Sequence, residues 1–262
     1  MIFMIRLLDN SETGLMAEQD KLDCISNNIA NADTEGYKSE NVSFRDLLSE
    51  SYNGLGYPVS NREGANEPYT GTGVRTNEWI KDNKEGSIVQ TGLSTDLALS
   101  GDGYFRVRMQ DGTYGYTRNP SFQLDANGKI VDDDGNYLDI AYNPQYQGVN
   151  LGKGKFSVKE DGTVYLAENN ENTVQVGKIN VYNAVGDDSM VAVGDSLFVP
   201  RNGVQMYQET GTKIEQGFVE KSNVNVANEM TNMITAERIF EMNSKAIETT
   251  DEMWQMANNL SK

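Results

Sequence analysis

The 262-residue sequence contains no histidine, which removes the commonest general base and the commonest transition-metal ligand. It has one cysteine, Cys24, so neither an intrachain disulfide nor a thiolate zinc site can form. Asp23 lies beside Cys24, and a neighbouring carboxylate keeps a thiol protonated, so Cys24 reads as a small packing residue rather than a nucleophile. No apolar run approaches the ~20 residues of a membrane-spanning helix. Residues 1–8 are apolar, but the stretch is short and its only base, Arg6, lies inside it. A cleavable secretory signal is therefore not expected. Positive charge is scarce: 22 Lys and Arg stand against 39 Asp and Glu, for a net charge of −17. The acid excess is spread along the chain, at −6 over 1–50, −3 over 219–262 and −8 between. With no basic stripe, nucleic acid and acidic lipid are not expected partners, and the charge reads as a solubilising surface.

What the chain does hold is an apolar heptad row near each end. Leu8, Leu15, Leu22 and Ile29 recur every seven residues, with Ile25 on a second row and charged residues on the other faces. This predicts an amphipathic helix of about 28 residues, which Gly14 weakens by roughly 1 kcal/mol relative to alanine. It should stop near Asn31, with Gly36 taking the left-handed conformation beyond it. At the other end Val226, Met233, Phe240, Ile247 and Trp254 sit at seven-residue steps. Asn225 is a plausible N-cap for a helix of about 52 Å. So long a stripe cannot be buried by its own helix, which makes the other terminal helix its natural partner.

The middle alternates apolar and polar residues between turn dipeptides. Asp111-Gly112, Asn127-Gly128, Asp134-Gly135 and Asp161-Gly162 each separate apolar–aromatic runs, a hairpin signal because the turn needs positive φ. The expected fold class is thus mixed α and β. Long N- and C-terminal helices pair as a coiled-coil-like core domain, around a central all-β domain of short antiparallel strands. The expected organisation is an N-terminal helix and turn over 1–45, an extended linker over 46–78, and the β domain over 79–212. A strand or turn and the long helix over 213–262 complete the core domain.

Motifs that would carry chemistry are weak. Asp132-Asp133-Asp134-Gly135-Asn136 suggests a calcium loop, but position twelve is Asn143 rather than a bidentate glutamate, so an acidic β-turn is the better reading. Gly101-Asp102-Gly103 and Gly152-Lys153-Gly154 lack the residues a phosphate cradle needs. Among 39 acids some pair always suits a glycosidase, so that signal discriminates nothing. No catalytic residue, metal, cofactor or small-molecule substrate is expected. From another functional class, a carbohydrate-active enzyme or adhesin on a coiled-coil stalk is the alternative.

Three blocks carry a resemblance. Gly14-Leu15, Ile25-Ser26-Asn27-Asn28-Ile29-Ala30-Asn31 and Thr34-Glu35-Gly36-Tyr37-Lys38 form the first. Gly101-Asp102-Gly103-Tyr104-Phe105-Arg106-Val107 and Tyr116-Thr117-Arg118 belong to the second. Gln216-Gly217-Phe218-Val219-Glu220, Ser222-Asn223-Val224-Asn225, Glu229-Met230, Phe240 and Asn243-Ser244-Lys245 mark the third. Together they resemble the bacterial flagellar rod and hook–basal body protein family. The family's usual start aligns with Met4, so residues 1–3 look like an extension, and Pro120 stands where glycine is common.

The resemblance implies a structural, non-enzymatic subunit, self-assembling through its terminal helices into a hollow helical drive shaft for motility. Length, the 216–225 block and the single β domain point to the distal rod, with the proximal rod or hook as alternatives. The implied partners are copies of itself, other rod and hook proteins, and the flagellar type III export apparatus. The implied location is the basal body, in the envelope outside the cytoplasmic membrane, reached without a cleaved signal. Subunit contacts are expected at Leu8, Leu15, Leu22, Ile25, Asn27, Asn28, Ile29, Asn31, Gly36 and Tyr37. On the C-terminal side they are expected at Asn223, Val226, Met230, Met233, Phe240, Asn243, Ile247 and Trp254.

Overall fold

The computed structural model describes residues 2–47, 49–51, 69–168, 172–186, 189–194 and 196–260. Most of the expected 46–78 linker, residues 52–68, lies outside them. The chain forms two compact units, one of Met1–Ala30, Glu40–Asp82 and Asn225–Lys262, the other of Asn31–Ser39 and Asn83–Val224.

The first unit contains α1 (Ile2–Ala30), β1 (Glu40–Asp46), β2 (Ser49–Ser51), β3 (Tyr69–Gly71), β4 (Val74–Lys81) and α2 (Val226–Leu260). β1 pairs antiparallel with β4, with a register shift between Val42 and Phe44, and β2 pairs with β3. Asn225 caps α2 by accepting from the Asn228 N–H at 3.1 Å. Gly14 faces Asn243, and the Cys24 thiol feels the charge of Glu229, so α1 and α2 run antiparallel. A Cβ on Gly14 would lie 3.0 Å from Asn243 Nδ2, so a larger residue there requires the Asn243 amide to give way by a few tenths of an ångström.

The expectation of long helices pairing as a coiled-coil-like core domain is overturned. In a knobs-into-holes seam the bulky rows would be buried. Here Leu8, Val226, Met230 and Trp254 are exposed, and Leu15, Leu22, Ile29, Met233, Phe240 and Ile247 are only half-buried. The buried helical positions are mostly small or polar: Ser11, Ala17, Cys24, Ile25, Asn28, Ala236 and Thr250. α1 also packs on β1 and β4. Thr76 donates to Asp20 Oδ2 at 2.6 Å. Gly73, at φ +124, brings the β4 approach so close that a Cβ would meet Thr13 Oγ1 at 2.4 Å. Mixed α and β is right, but there are only two α-helices among the described residues, and the large central region is many-stranded β structure.

The second unit runs through β5 (Ile88–Gln90), β6 (Leu97–Ser100), β7 (Tyr104–Arg108), β8 (Tyr114–Thr117), β9 (Gln123–Leu124) and β10 (Ile130–Val131). β11 (Tyr137–Leu138), β12 (Ile140–Tyr142), β13 (Lys155–Val158), β14 (Thr163–Glu168), β15 (Asn172–Ile179) and β16 (Val181–Ala184) follow. β17 (Met190–Gly194), β18 (Leu197–Pro200), β19 (Met206–Glu209), β20 (Lys213–Gln216) and β21 (Phe218–Glu220) complete it. One sheet has the order β17-β18-β8-β7-β11-β10-β9, with β16 joining β7 to β19; a second is β12-β15-β14-β13. β20 pairs with β6 and β21 with β5.

The four Asx-Gly dipeptides expected to mark hairpins close them by one device. Gly112, Gly128, Gly135 and Gly162 donate to the carbonyls of Met109, Asp125, Asp132 and Lys159, three residues back. Their φ values are +87, +71, +79 and +81, the left-handed bulge that follows a type I turn in three-residue hairpin loops. The core alternates along β7 and β14 as the pleat demands, with Phe105 and Val107, and Val164 and Leu166, buried, whereas Leu97, Ala98 and Leu99 of β6 are all buried. Phe105 meets Phe122 edge to face at 5.5 Å, a geometry the ring quadrupoles favour. Replacing Phe105, which has no exposed surface, by alanine should cost about 3–5 kcal/mol. Urea unfolding of the variant should show a lowered midpoint at an unchanged slope.

Candidate functional site

The second unit buries a charge cluster that draws one residue from each recurring motif block. Glu220 ends β21 and is 1% exposed; Arg118 follows β8 at 6%, and Lys38 closes the 34–38 turn at 9%. Lys38 Nζ lies 2.6 Å from Glu220 Oε1, and Arg118 Nε donates to Glu220 Oε2 at 2.7 Å. The Gly86 N–H adds a third donor to the carboxylate at 2.9 Å. The remaining donors are also used: Arg118 Nη1 and Nη2 reach the Gly103 and Gly101 carbonyls, both at 2.8 Å, and Lys38 Nζ reaches the Lys84 carbonyl at 2.6 Å.

The backbone around the cluster is fitted as closely. Gly36 N donates to the Glu220 carbonyl at 2.8 Å. Gly36 sits at φ +69, and a Cβ there would come within 2.8 Å of the Arg118 carbonyl oxygen, so only glycine fits. Asn223 accepts from Ser39 N at 2.7 Å and donates to the Lys84 carbonyl at 3.0 Å. Burial pushes the Glu220 carboxyl up, but Arg118, Lys38 and Gly86 outweigh it and hold it below its ordinary value. Burial pulls the Lys38 ammonium down, with Glu220 opposing. A carboxylate with every partner in place has no proton to trade and no face left for substrate; the arrangement locks strands together.

The expected contact residues fall into two groups. In the second unit Gly36 is buried and Asn31, Tyr37 and Asn223 are half-buried; the Tyr37 carbonyl accepts from Asn223 N at 3.4 Å. In the first unit Asn28, 1% exposed, uses its amide as a strand partner. It donates to the Glu40 carbonyl at 2.8 Å and accepts from Glu40 N at 2.9 Å. Ile25 is buried, Asn27 is exposed, and Asn243 lies half-buried against Gly14. Cys24 donates to the Glu40 carbonyl, and burial, with Glu40 and Glu229 nearby, pushes its thiol up to about 11. The exposed apolar side chains of this unit extend past the expected ones, to Met16, Phe44, Trp79, Ile80, Ile234 and Met242. Lys38, Arg118 and Glu220 were not anticipated as a site, although each lies in a quoted motif. Met16 and Ile234 were missed because they sit off the heptad rows.

Three family profiles match the chain. "Flagella basal body rod protein" covers residues 8–38, "Flagellar hook protein FlgE/F/G D1 domain" covers 98–166, and "Flagellar basal body rod FlgEFG protein C-terminal" covers 215–260. Each contains one member of the cluster. The chain is 32% identical to flagellar basal-body rod protein FlgG of Borreliella burgdorferi, over 99% of this chain and 100% of that protein. It is 33% identical to FlgG of Bacillus subtilis over 99% and 100%, and 31% identical to FlgF of Mesorhizobium japonicum over 86% and 85%.

Because Glu220 is held below its ordinary 4.5, its stabilisation is present above that pH and is lost as pH falls through the folded-state value. Glu220→Gln should cost about 3–5 kcal/mol at pH 7 by leaving two buried cations unpaired. The variant should also lose part of the acid-side decline. Urea unfolding at pH 7 and in the acid range checks both; a parallel acid limb in the two proteins contradicts the assignment.

Proposed function

This chain belongs to the family of flagellar basal-body rod proteins and is a structural subunit of the distal rod; we propose that it polymerises with copies of itself through the exposed faces of α1 and α2. The observation that carries this reading is the apolar surface those helices leave uncovered. Met16 is 60% exposed, Met230 and Ile234 53%, Met242 63% and Trp254 40%. So many large apolar side chains left exposed on two helices suit burial against neighbouring subunits. Different patches meeting head to tail give an open helical assembly rather than a closed ring, which suits a hollow shaft. Leu8, Asn27, Val226, Met230 and Trp254 are the exposed members of the expected contact set. Asn28 and Gly36 instead hold the folds of the first and second unit, respectively.

Membership of the family places the protein in the flagellar basal body. The finer reading is that it lies outside the cytoplasmic membrane, meets other rod and hook proteins at the ends of its segment, and passes through the type III export apparatus uncleaved. It catalyses nothing on this reading. The lack of histidine, a thiol pushed up by burial and a fully paired carboxylate support that.

Replacing Met230 and Ile234 together by glutamate should leave folding stability within about 0.5 kcal/mol, because both are surface positions. The same change should abolish sedimentable assembly and remove the chain from purified hook–basal bodies quantified by mass spectrometry. Normal assembly and incorporation of a folded double variant would refute the contact surface.

A further inference from the structure

We propose that Asn202 is a site of spontaneous deamidation, set apart from the other described Asn-Gly turn, Asn127-Gly128, by the position of its glycine in the turn. Asn202 and Gly203 are exposed and lie in the connection between β18 and β19. Val204 N donates to the Arg201 carbonyl at 3.0 Å, so Asn202 and Gly203 are the two central residues of a β-turn. Gly203 has φ +92, and the only non-glycine residue with positive φ among those described is Ser196, which makes the turn type II. In such a turn the closing bond uses the fourth residue's N–H and leaves the third residue's free. No hydrogen bond from Gly203 N is formed among the described residues.

That nitrogen is the nucleophile of the reaction. As its anion it attacks Asn202 Cγ, the Cγ–Nδ2 bond breaks, and ammonia leaves, giving a five-membered imide. Water then opens either imide carbonyl, leaving aspartate or isoaspartate at position 202. No oxidant or reductant is consumed; the net change is water in and ammonia out. The product carries one more negative charge and, in the isoaspartyl form, one more backbone methylene between β18 and β19.

Asn127-Gly128 has the same dipeptide and the opposite geometry. Gly128 N is tied to the Asp125 carbonyl at 2.7 Å, and the Asn127 amide donates to Asp125 Oδ2 at 3.0 Å. Gly128 is itself buried, with Asn150 Oδ1 only 1.8 Å from where a Cβ would stand, so the backbone has no room to swing into the imide. Gly112, Gly135 and Gly162 are held by the same i−3 bond. The third Asn-Gly pair, Asn53-Gly54, lies outside the described residues.

The test is incubation of the folded full-length protein at mildly alkaline pH in heavy-oxygen water, followed by peptide mass mapping. A parallel sample unfolded in urea supplies the intrinsic rate of each site. In the folded protein Asn202 should incorporate heavy oxygen roughly tenfold faster than Asn127, the factor corresponding to one hydrogen bond held in the protected turn. In urea the two rates should converge. A folded-state rate ratio above the unfolded one supports the proposal; a ratio equal to it or below it overturns it.

Discussion

A carboxylate with almost no solvent exposure, placed between an ammonium and a guanidinium, is tolerable only if all three groups are fully hydrogen-bonded. Glu220, Lys38 and Arg118 meet that demand with backbone partners from four further positions: Gly86, Gly101, Gly103 and Lys84. The cluster therefore fixes more than itself. It fastens the 34–38 turn, the end of β8, the start of the β6–β7 connection and the last strand into one arrangement, and Gly36 lets the turn come within reach. Net gain from such a buried group is modest, but the penalty for any incomplete version is large. Specificity of arrangement is what it contributes.

The first unit follows a different rule. Its helices approach through Gly14, Ala17, Ala236 and other small or polar residues, and α1 is tied to the β1–β4 ribbon by Asn28, Thr13 and Asp20. Close backbone approach takes the place of interlocking bulky side chains. Several large apolar residues, among them Met16, Met230, Ile234 and Met242, are left facing outward, where an isolated chain gains little from them. On the proposed polymerisation, burial of the bulky rows is deferred to the assembled state.

Much of this was legible in the sequence, and the failures have identifiable causes. Heptad recurrence located both helices, and the glycines after Asp111, Asn127, Asp134 and Asp161 located four hairpins, because both signals are local. The helix contact face was misjudged by three residues. The row Val226, Met233, Phe240 and Ile247 is apolar but at best half-buried, whereas Glu229, Ala236, Asn243 and Thr250 point to the protein side and do not look like a seam. Hydrophobic periodicity finds a face that wants burial without saying which molecule provides it. The charge cluster was invisible for another reason. Lys38 and Glu220 are 182 positions apart, and no local pattern distinguishes them from the other 59 charged residues of the chain. The motif blocks flagged all three positions without revealing that they meet.

The spacing of β-strand partners has a consequence for how the chain is completed. Hairpins such as β7–β8 and β13–β14 can close within microseconds once their few residues exist. β6 and β5 must wait, because their partners are β20 and β21 near the end of the chain: Leu99 pairs with Ile214 and Val89 with Val219. A polypeptide that stops short of residue 213 keeps bare strand edges beside Leu97 and Leu99 and leaves two cations stranded in the interior. Such edges invite aggregation and proteolysis. The topology thus acts as a length check, since only a chain that extends through β20 and β21 can pair β6 and β5.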